Sequence, residues 1–149
     1  MITVREARTQ EYAVIAGFQV AMAAETEALQ LDRDVVEQGV REVFRRPDLG
    51  RYFVADDGGH VVASLLITYE WSDWRAATVW WIQSVYVLPE ERRKGVFSAM
   101  YRHIRELVMA DDTVSGIRLY VDKSNERARA VYSRLQMDGE HYALYEWMK

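Results

Sequence analysis

Val85-Tyr86-Val87-Leu88-Pro89-Glu90-Glu91-Arg92-Arg93-Lys94-Gly95-Val96-Phe97-Ser98 is the stretch whose reading decides the fold. A β-rich run from Thr78 to Val87 leads into it, and Pro89 closes that run. Beyond Gly95 the apolar residues fall at Val96, Phe97, Met100, Tyr101, Ile104, Leu107 and Val108, a helical stripe. The segment therefore reads as strand, basic glycine-bearing turn, helix. The first N–H groups of a helix have no internal partner and sit at the positive end of its dipole. A turn opening such a helix can aim several of them at one anion. Gly95 permits close backbone approach, and Arg92, Arg93 and Lys94 add positive charge. The competing reading is a solvated turn before a helix. The strand on one side and the helix on the other favour an anion cradle.

Working towards the N-terminus, Asp57-Gly58-Gly59 signals a hairpin turn between strands Arg51–Ala55 and His60–Tyr69. Trp71 to Ala76 reads as a polar, aromatic connection to the Thr78 run. Before the hairpin lie two helical segments. One runs from Thr9 to about Glu27, and the other starts near Asp32 and stops at Pro47. Ile2–Arg5 is a short first strand.

Towards the C-terminus, Ile117–Val121 reads as a strand. A helix then carries Ala128, Val131, Tyr132 and Leu135 at i, i+3, i+4 and i+7. Ser124 or Asn125 is its cap, and Tyr132 lies on its apolar stripe. Gly139 precedes a last strand, about Tyr142 to Met148. This order suggests a mixed, twisted sheet with helices on both faces, an α/β (α+β) architecture in one domain spanning residues 1–149.

The composition bounds the function. With no cysteine, disulfides, thiolate-bound metal and a cysteine nucleophile are excluded. The three histidines, His60, His103 and His141, are far apart, so no metal site is expected. A net charge of −4 disfavours a nucleic-acid partner. Met1–Ala7 lacks a signal-peptide pattern, and no apolar run approaches the ~20 residues that span a bilayer, so no membrane partner and a cytoplasmic location are expected. Five Trp and nine Tyr are enough to line a pocket as well as a core.

Val85-Tyr86-Val87 followed by Arg92-Arg93-Lys94-Gly95-Val96-Phe97 resembles the central motif of the GCN5-related N-acetyltransferases, written Q/R-x-x-G-x-G/A. Arg92 and Gly95 match it, whereas Phe97 stands where the motif has Gly or Ala. The order of elements resembles the family over nearly the whole chain. The resemblance implies a mixed sheet of about six to seven strands flanked by about four helices. It also implies acetyl-CoA as co-substrate, with no metal. The pantetheine arm would pair with Val85 and Val87, with Tyr86 between them, and the pyrophosphate would fall on Arg92 to Phe97 and Ser98. Asn125 matches a residue that hydrogen-bonds the pantetheine arm, and Tyr132 one whose hydroxyl lies near the coenzyme sulfur. Leu135-Gln136-Met137 replaces the usual Leu-Gly-Phe after that helix.

The chemistry implied is attack of an amine on a thioester, with Tyr132 as the donor to the departing thiolate and a strand N–H near Val85–Val87 as the donor to the oxyanion. Some members use a Glu on the motif strand as general base. Trp80-Trp81-Ile82-Gln83-Ser84 offers no carboxylate there, though Gln83 can hold a water. On the acceptor side, Met22, Glu25, Glu27, Trp71, Trp74 and Trp81 are expected to line an acidic, aromatic cleft for a cationic small-molecule amine, with Glu70 and Asp73 nearby. Surface charge and capping are the plain alternative for these carboxylates. Acetylation of a protein lysine or N-terminus, and non-catalytic acyl-CoA binding, are the competing functions. A homodimer is compatible with either.

Overall fold

The computed structural model describes residues 1–149. The chain divides into two compact units, Met1–Leu119 and Tyr120–Lys149. The first unit holds five strands, β1 (Ile2–Glu6), β2 (Arg51–Asp57), β3 (His60–Ser72), β4 (Ala77–Val87) and β5 (Val114–Leu119). It also holds three helices, α1 (Tyr12–Glu27), α2 (Arg33–Arg45) and α3 (Val96–Met109). The strands form one sheet in the order β1-β2-β3-β4-β5. All neighbours are antiparallel except β4 and β5, which are parallel. The second unit holds α4 (Glu126–Arg134) and the segment that follows it.

Local signals account for most boundaries. Asp32 caps α2, its Oδ1 accepting from the N–H of Asp34 at 2.9 Å, and the helix stops at Arg45, two residues before Pro47. Gly58 and Gly59 take positive φ in the turn between β2 and β3. A 3-10 turn, Thr9–Glu11, precedes α1. Arg5 on β1 bonds both Glu11 and Asp56 at 2.7 Å, which ties the first strand to the helix start and to β2. Arg5 holds both carboxyls below their ordinary range.

The two sheet faces are covered differently. Tyr52 and Val54 pack with Ile15, Ala16 and Val40 of α1 and α2. Phe53, on the opposite face by strand alternation, meets His103 of α3 with ring centroids 5.8 Å apart. Phe53, Leu65, Ile67, Met100 and Ile104 are fully buried there or at the sheet's centre.

Three expectations need correction. The sheet has five strands, fewer than the family resemblance implied. The last strand, Tyr142–Met148, does not form; those residues have no regular secondary structure, with Tyr142, Tyr145 and Trp147 exposed. Strand propensity without a paired neighbour leaves backbone groups to water, so alternation alone does not make a strand. β3 and β4 also run further than read, leaving only residues 73–76 as their turn, and β5 starts at Val114 and ends at Leu119.

Candidate active site

The two halves of β4 have different neighbours. Thr78 to Ile82 pair with β5 on one side and β3 on the other. β5 ends at Leu119 opposite Ile82, so Gln83–Val87 have a strand partner only in β3. The register also slips there. Gln83 faces Leu66, but Tyr86 faces Ser64, so Ser84 and Val85 together oppose Leu65. This is a β-bulge, with Ser84 in the left-handed region at φ 53°. A non-glycine residue there stores about 1–2 kcal/mol. The Leu88 N–H donates to the Val62 carbonyl at 2.9 Å, and Tyr86 lies opposite Ser64. Amide direction alternates along a strand, so the N–H and C=O groups of Val85 and Val87 point away from β3, to the open edge.

Beyond the strand the chain makes the turn expected from its sequence. A 3-10 turn, Pro89–Glu91, is followed by Arg93 at φ 64° and Gly95 at φ 77°. Gly95 is the N-cap of α3 and supplies no side-chain cap. The first internal bond of the helix runs from the Ala99 N–H to the Gly95 carbonyl at 3.0 Å. The N–H groups of Val96, Phe97 and Ser98 therefore have no acceptor within the helix. A Cβ on Gly95 would meet no atom within 4 Å, so the protein leaves open space on that side and requires the glycine for its φ.

The charged residues of the turn are arranged unequally. Arg92 turns back to its own strand, Nε donating to the Val87 carbonyl at 2.9 Å and Nη2 to Glu25 at 2.8 Å. Tyr86 also donates to Glu25, at 3.2 Å, and stacks against Phe18 at 5.2 Å between centroids. Burial, followed by the Glu25 charge, pushes the Tyr86 phenol above its usual pKa. Lys94 reaches Glu91 at 3.3 Å, while Arg93 is exposed.

The expected acceptor residues do not line one cleft. Trp81 and Gln83 share the α1–α2 face of the sheet with Thr68 and Glu70. There Gln83 Nε2 donates to Thr68 at 2.6 Å, and Glu70 Oε1 accepts from the Trp81 indole at 2.8 Å and Arg118 at 2.9 Å. The Trp81 N–H, then Arg118, hold the Glu70 carboxyl below its ordinary pKa. Trp71 pairs with Thr78, an odd number of residues from Thr68, and so belongs to the opposite face. Trp74 is 90% exposed in the turn after β3, beside Asp73, whose Oδ1 accepts from the Trp74 N–H. Met22 is half-buried on α1 and Glu27 is exposed at its end. Glu25 and Glu70 are each ion-paired, so neither carries an unmatched charge. Thr68, Ser84 and Arg118 were not singled out from the sequence. Gln83-Ser84-Val85 contains no glycine to mark the bulge, and the contacts of Thr68 and Arg118 depend on strand register.

In the second unit Asn125 caps α4, its Oδ1 accepting from the Ala128 N–H at 3.1 Å. Tyr132 is half-buried, and burial raises its phenol above the ordinary value of 10.

A half-open strand leading into a glycine-capped helix agrees with what comparison with known proteins finds. The chain matches the acetyltransferase (GNAT) family over residues 11–137. It is similar to a possible acetyltransferase from Clostridium difficile 630, with 42% identity and a TM-score of 0.92, over 100% of this chain and 98% of that one. Its fold is shared by a ribosomal-protein-alanine N-acetyltransferase from Brucella melitensis biovar Abortus 2308, at 11% identity and a TM-score of 0.80 over 100% of both chains. It is shared too by an aminoglycoside acetyltransferase from an uncultured soil metagenomic sample, at 16% identity and a TM-score of 0.72 over 100% of this chain and 98% of the other. No curated protein matches. Motif, topology and the match over most of the chain agree: this protein belongs to the acetyltransferase (GNAT) family and is an N-acetyltransferase.

Proposed function

We propose that the protein transfers an acetyl group from acetyl-CoA to the amine of a small molecule, by direct attack of the amine on the thioester. The observation that carries this reading is the open half of β4, whose free edge runs into the turn before α3. The N–H and C=O of Val85 and the N–H of Val87 suit a pantetheine arm added as a further strand. The Val87 carbonyl is already held by Arg92. The N–H groups of Val96, Phe97 and Ser98, the open side of Gly95 and the charges of Arg93 and Lys94 suit a pyrophosphate. Asn125 caps α4 through its side-chain carbonyl, a use that does not occupy its amide N–H groups, which suit the pantetheine arm.

Bound acetyl-CoA supplies an acetyl thioester, already activated towards amines. The remaining work falls to this chain. An edge N–H of the bulged strand near Val85 donates to the carbonyl oxygen as negative charge develops on it. Tyr132, a phenol protonated at neutral pH whose pKa burial raises further, donates to the departing sulfur. An amine of pKa roughly 10 must lose a proton before it attacks. Gln83, which gives one amide N–H to Thr68, keeps its carbonyl for the amine or a water. Trp81 offers a ring beside it. With Glu70 matched by Arg118, the amine is recognised by hydrogen bonds and ring contact more than by net negative charge. The short connections at residues 28–32 and 73–76 support a small acceptor.

The test is release of free thiol from acetyl-CoA across a panel of small amines, alongside lysine-bearing peptides and proteins. Release with at least one small amine is expected. Release with protein acceptors alone, or coenzyme binding without release, refutes the reading.

A further inference from the structure

We infer that Glu25 is a positioning residue for the coenzyme cradle, acting through Arg92, and not a contact for the amine. The inference rests on the assignment of Val85–Val87 and Arg93–Ser98 to coenzyme A. Glu25 lies in the last turn of α1, and its two carboxylate oxygens serve different partners. Oε1 accepts from the Tyr86 hydroxyl at 3.2 Å and Oε2 from Arg92 Nη2 at 2.8 Å. Arg92 gives its Nε to the Val87 carbonyl at 2.9 Å and places its guanidinium carbon 5.4 Å from the centre of the Tyr86 ring. Phe18, two turns earlier on α1, packs against the same ring. One carboxylate thus joins the end of a helix to the side chain of the open strand and to the first basic residue of the turn.

Two consequences follow for the coenzyme. The Arg92 charge is matched by Glu25 and directed back to the strand, so the work of meeting a pyrophosphate falls to Arg93, Lys94 and the N–H groups at the start of α3. Arg92 also fixes the Val87 carbonyl, the last open-edge acceptor before the turn, and with it the entry of the chain into the cradle. Removing the Glu25 charge frees Arg92 and Tyr86 together and loosens that entry. The amine is not expected to sense this directly, because the Glu25 charge is already matched by Arg92 and each of its oxygens is engaged.

The experiment measures coenzyme A affinity by calorimetry, and both Michaelis constants, for the wild-type protein, E25Q, E25D, R92Q and E25Q/R92Q, with a melting curve for each. E25Q is expected to weaken coenzyme A binding about five- to tenfold, the scale of one partly exposed charge-assisted bond. The KM for acetyl-CoA should rise by a similar factor while the amine KM stays put, and E25D should recover part of the loss. Because Glu25 acts through Arg92, E25Q/R92Q should bind no more weakly than R92Q. A raised amine KM with unchanged coenzyme affinity overturns the inference, as do additive losses in the double variant or no change in E25Q. A wild-type protein that does not bind coenzyme A refutes the cradle itself, an outcome visible before any variant is made.

Discussion

The two halves of β4 are one strand in sequence and two devices in the molecule. From Thr78 to Ile82 it lies between β3 and β5, with Val79, Trp80 and Ile82 at 3%, 5% and 2% exposure. From Gln83 to Val87 it keeps β3 alone, carries a left-handed residue, and is mostly half-buried. Both halves are rich in β-branched and aromatic residues, so composition does not separate them. What separates them is the point at which the parallel neighbour stops. The paired half contributes burial, and the open half leaves backbone groups available to a ligand.

The sharpest way to break this comparison is at the end of the open half. Gly95→Asp puts a side chain and a negative charge on the open side of the cradle, and coenzyme A binding should fall below detection by calorimetry. A folded variant with unchanged affinity would remove the cradle from the open half. In the paired half, Ile82→Ala should cost about 2–5 kcal/mol in denaturant unfolding, as for other buried aliphatic truncations. Val85→Ala, on the half-buried stretch, should cost clearly less. Equal losses would erase the distinction in packing.

Tyr132→Phe tests whether chemistry follows binding. It should lower kcat about 10²-fold with little change in acetyl-CoA affinity. Because burial raises the phenol's pKa, the wild-type rate should climb as the amine loses its proton and turn down only above about pH 10, as the phenol's proton is lost. The Phe variant should lack that descending limb. An unchanged kcat with a lowered melting temperature would return Tyr132 to a packing role. The smallest effect is expected at the junction. Ser84→Gly relieves a positive φ and should raise stability by up to about 1 kcal/mol, the left-handed penalty less the added freedom of the unfolded chain.

Legibility in the sequence followed the range of the interaction. Asp32, Pro47 and Asp57-Gly58-Gly59 mark boundaries through bonds within a few residues of themselves, and each boundary is found there. The apolar stripe of α3 and the Asn125 cap are equally local. The partner of Glu25 is Arg92, 67 positions away, and nothing near either residue announces the other. Trp71 and Trp81 are both expected in the acceptor cleft, yet they fall on opposite faces because β3 runs on through Trp71 and the β3–β4 register sets their parity. Tyr142–Met148 has strand-forming residues, but a strand is defined by a neighbour that the segment does not name.

The bulge at Ser84 and Val85 also changes how the chain tolerates length. Gln83 and Tyr86 face Leu66 and Ser64, so they share one side of the sheet although three positions separate them. In an unbroken strand that spacing would send them to opposite sides. The extra residue works as a phase shift, and everything from Tyr86 onwards is read in the shifted frame. Losing one residue here would turn Tyr86 away from Phe18 and Glu25 and send Val87 through to the α1–α2 side. A short deletion at this point should therefore cost more than any single exchange of side chain within it, and related chains should keep the count of residues here more strictly than their identity.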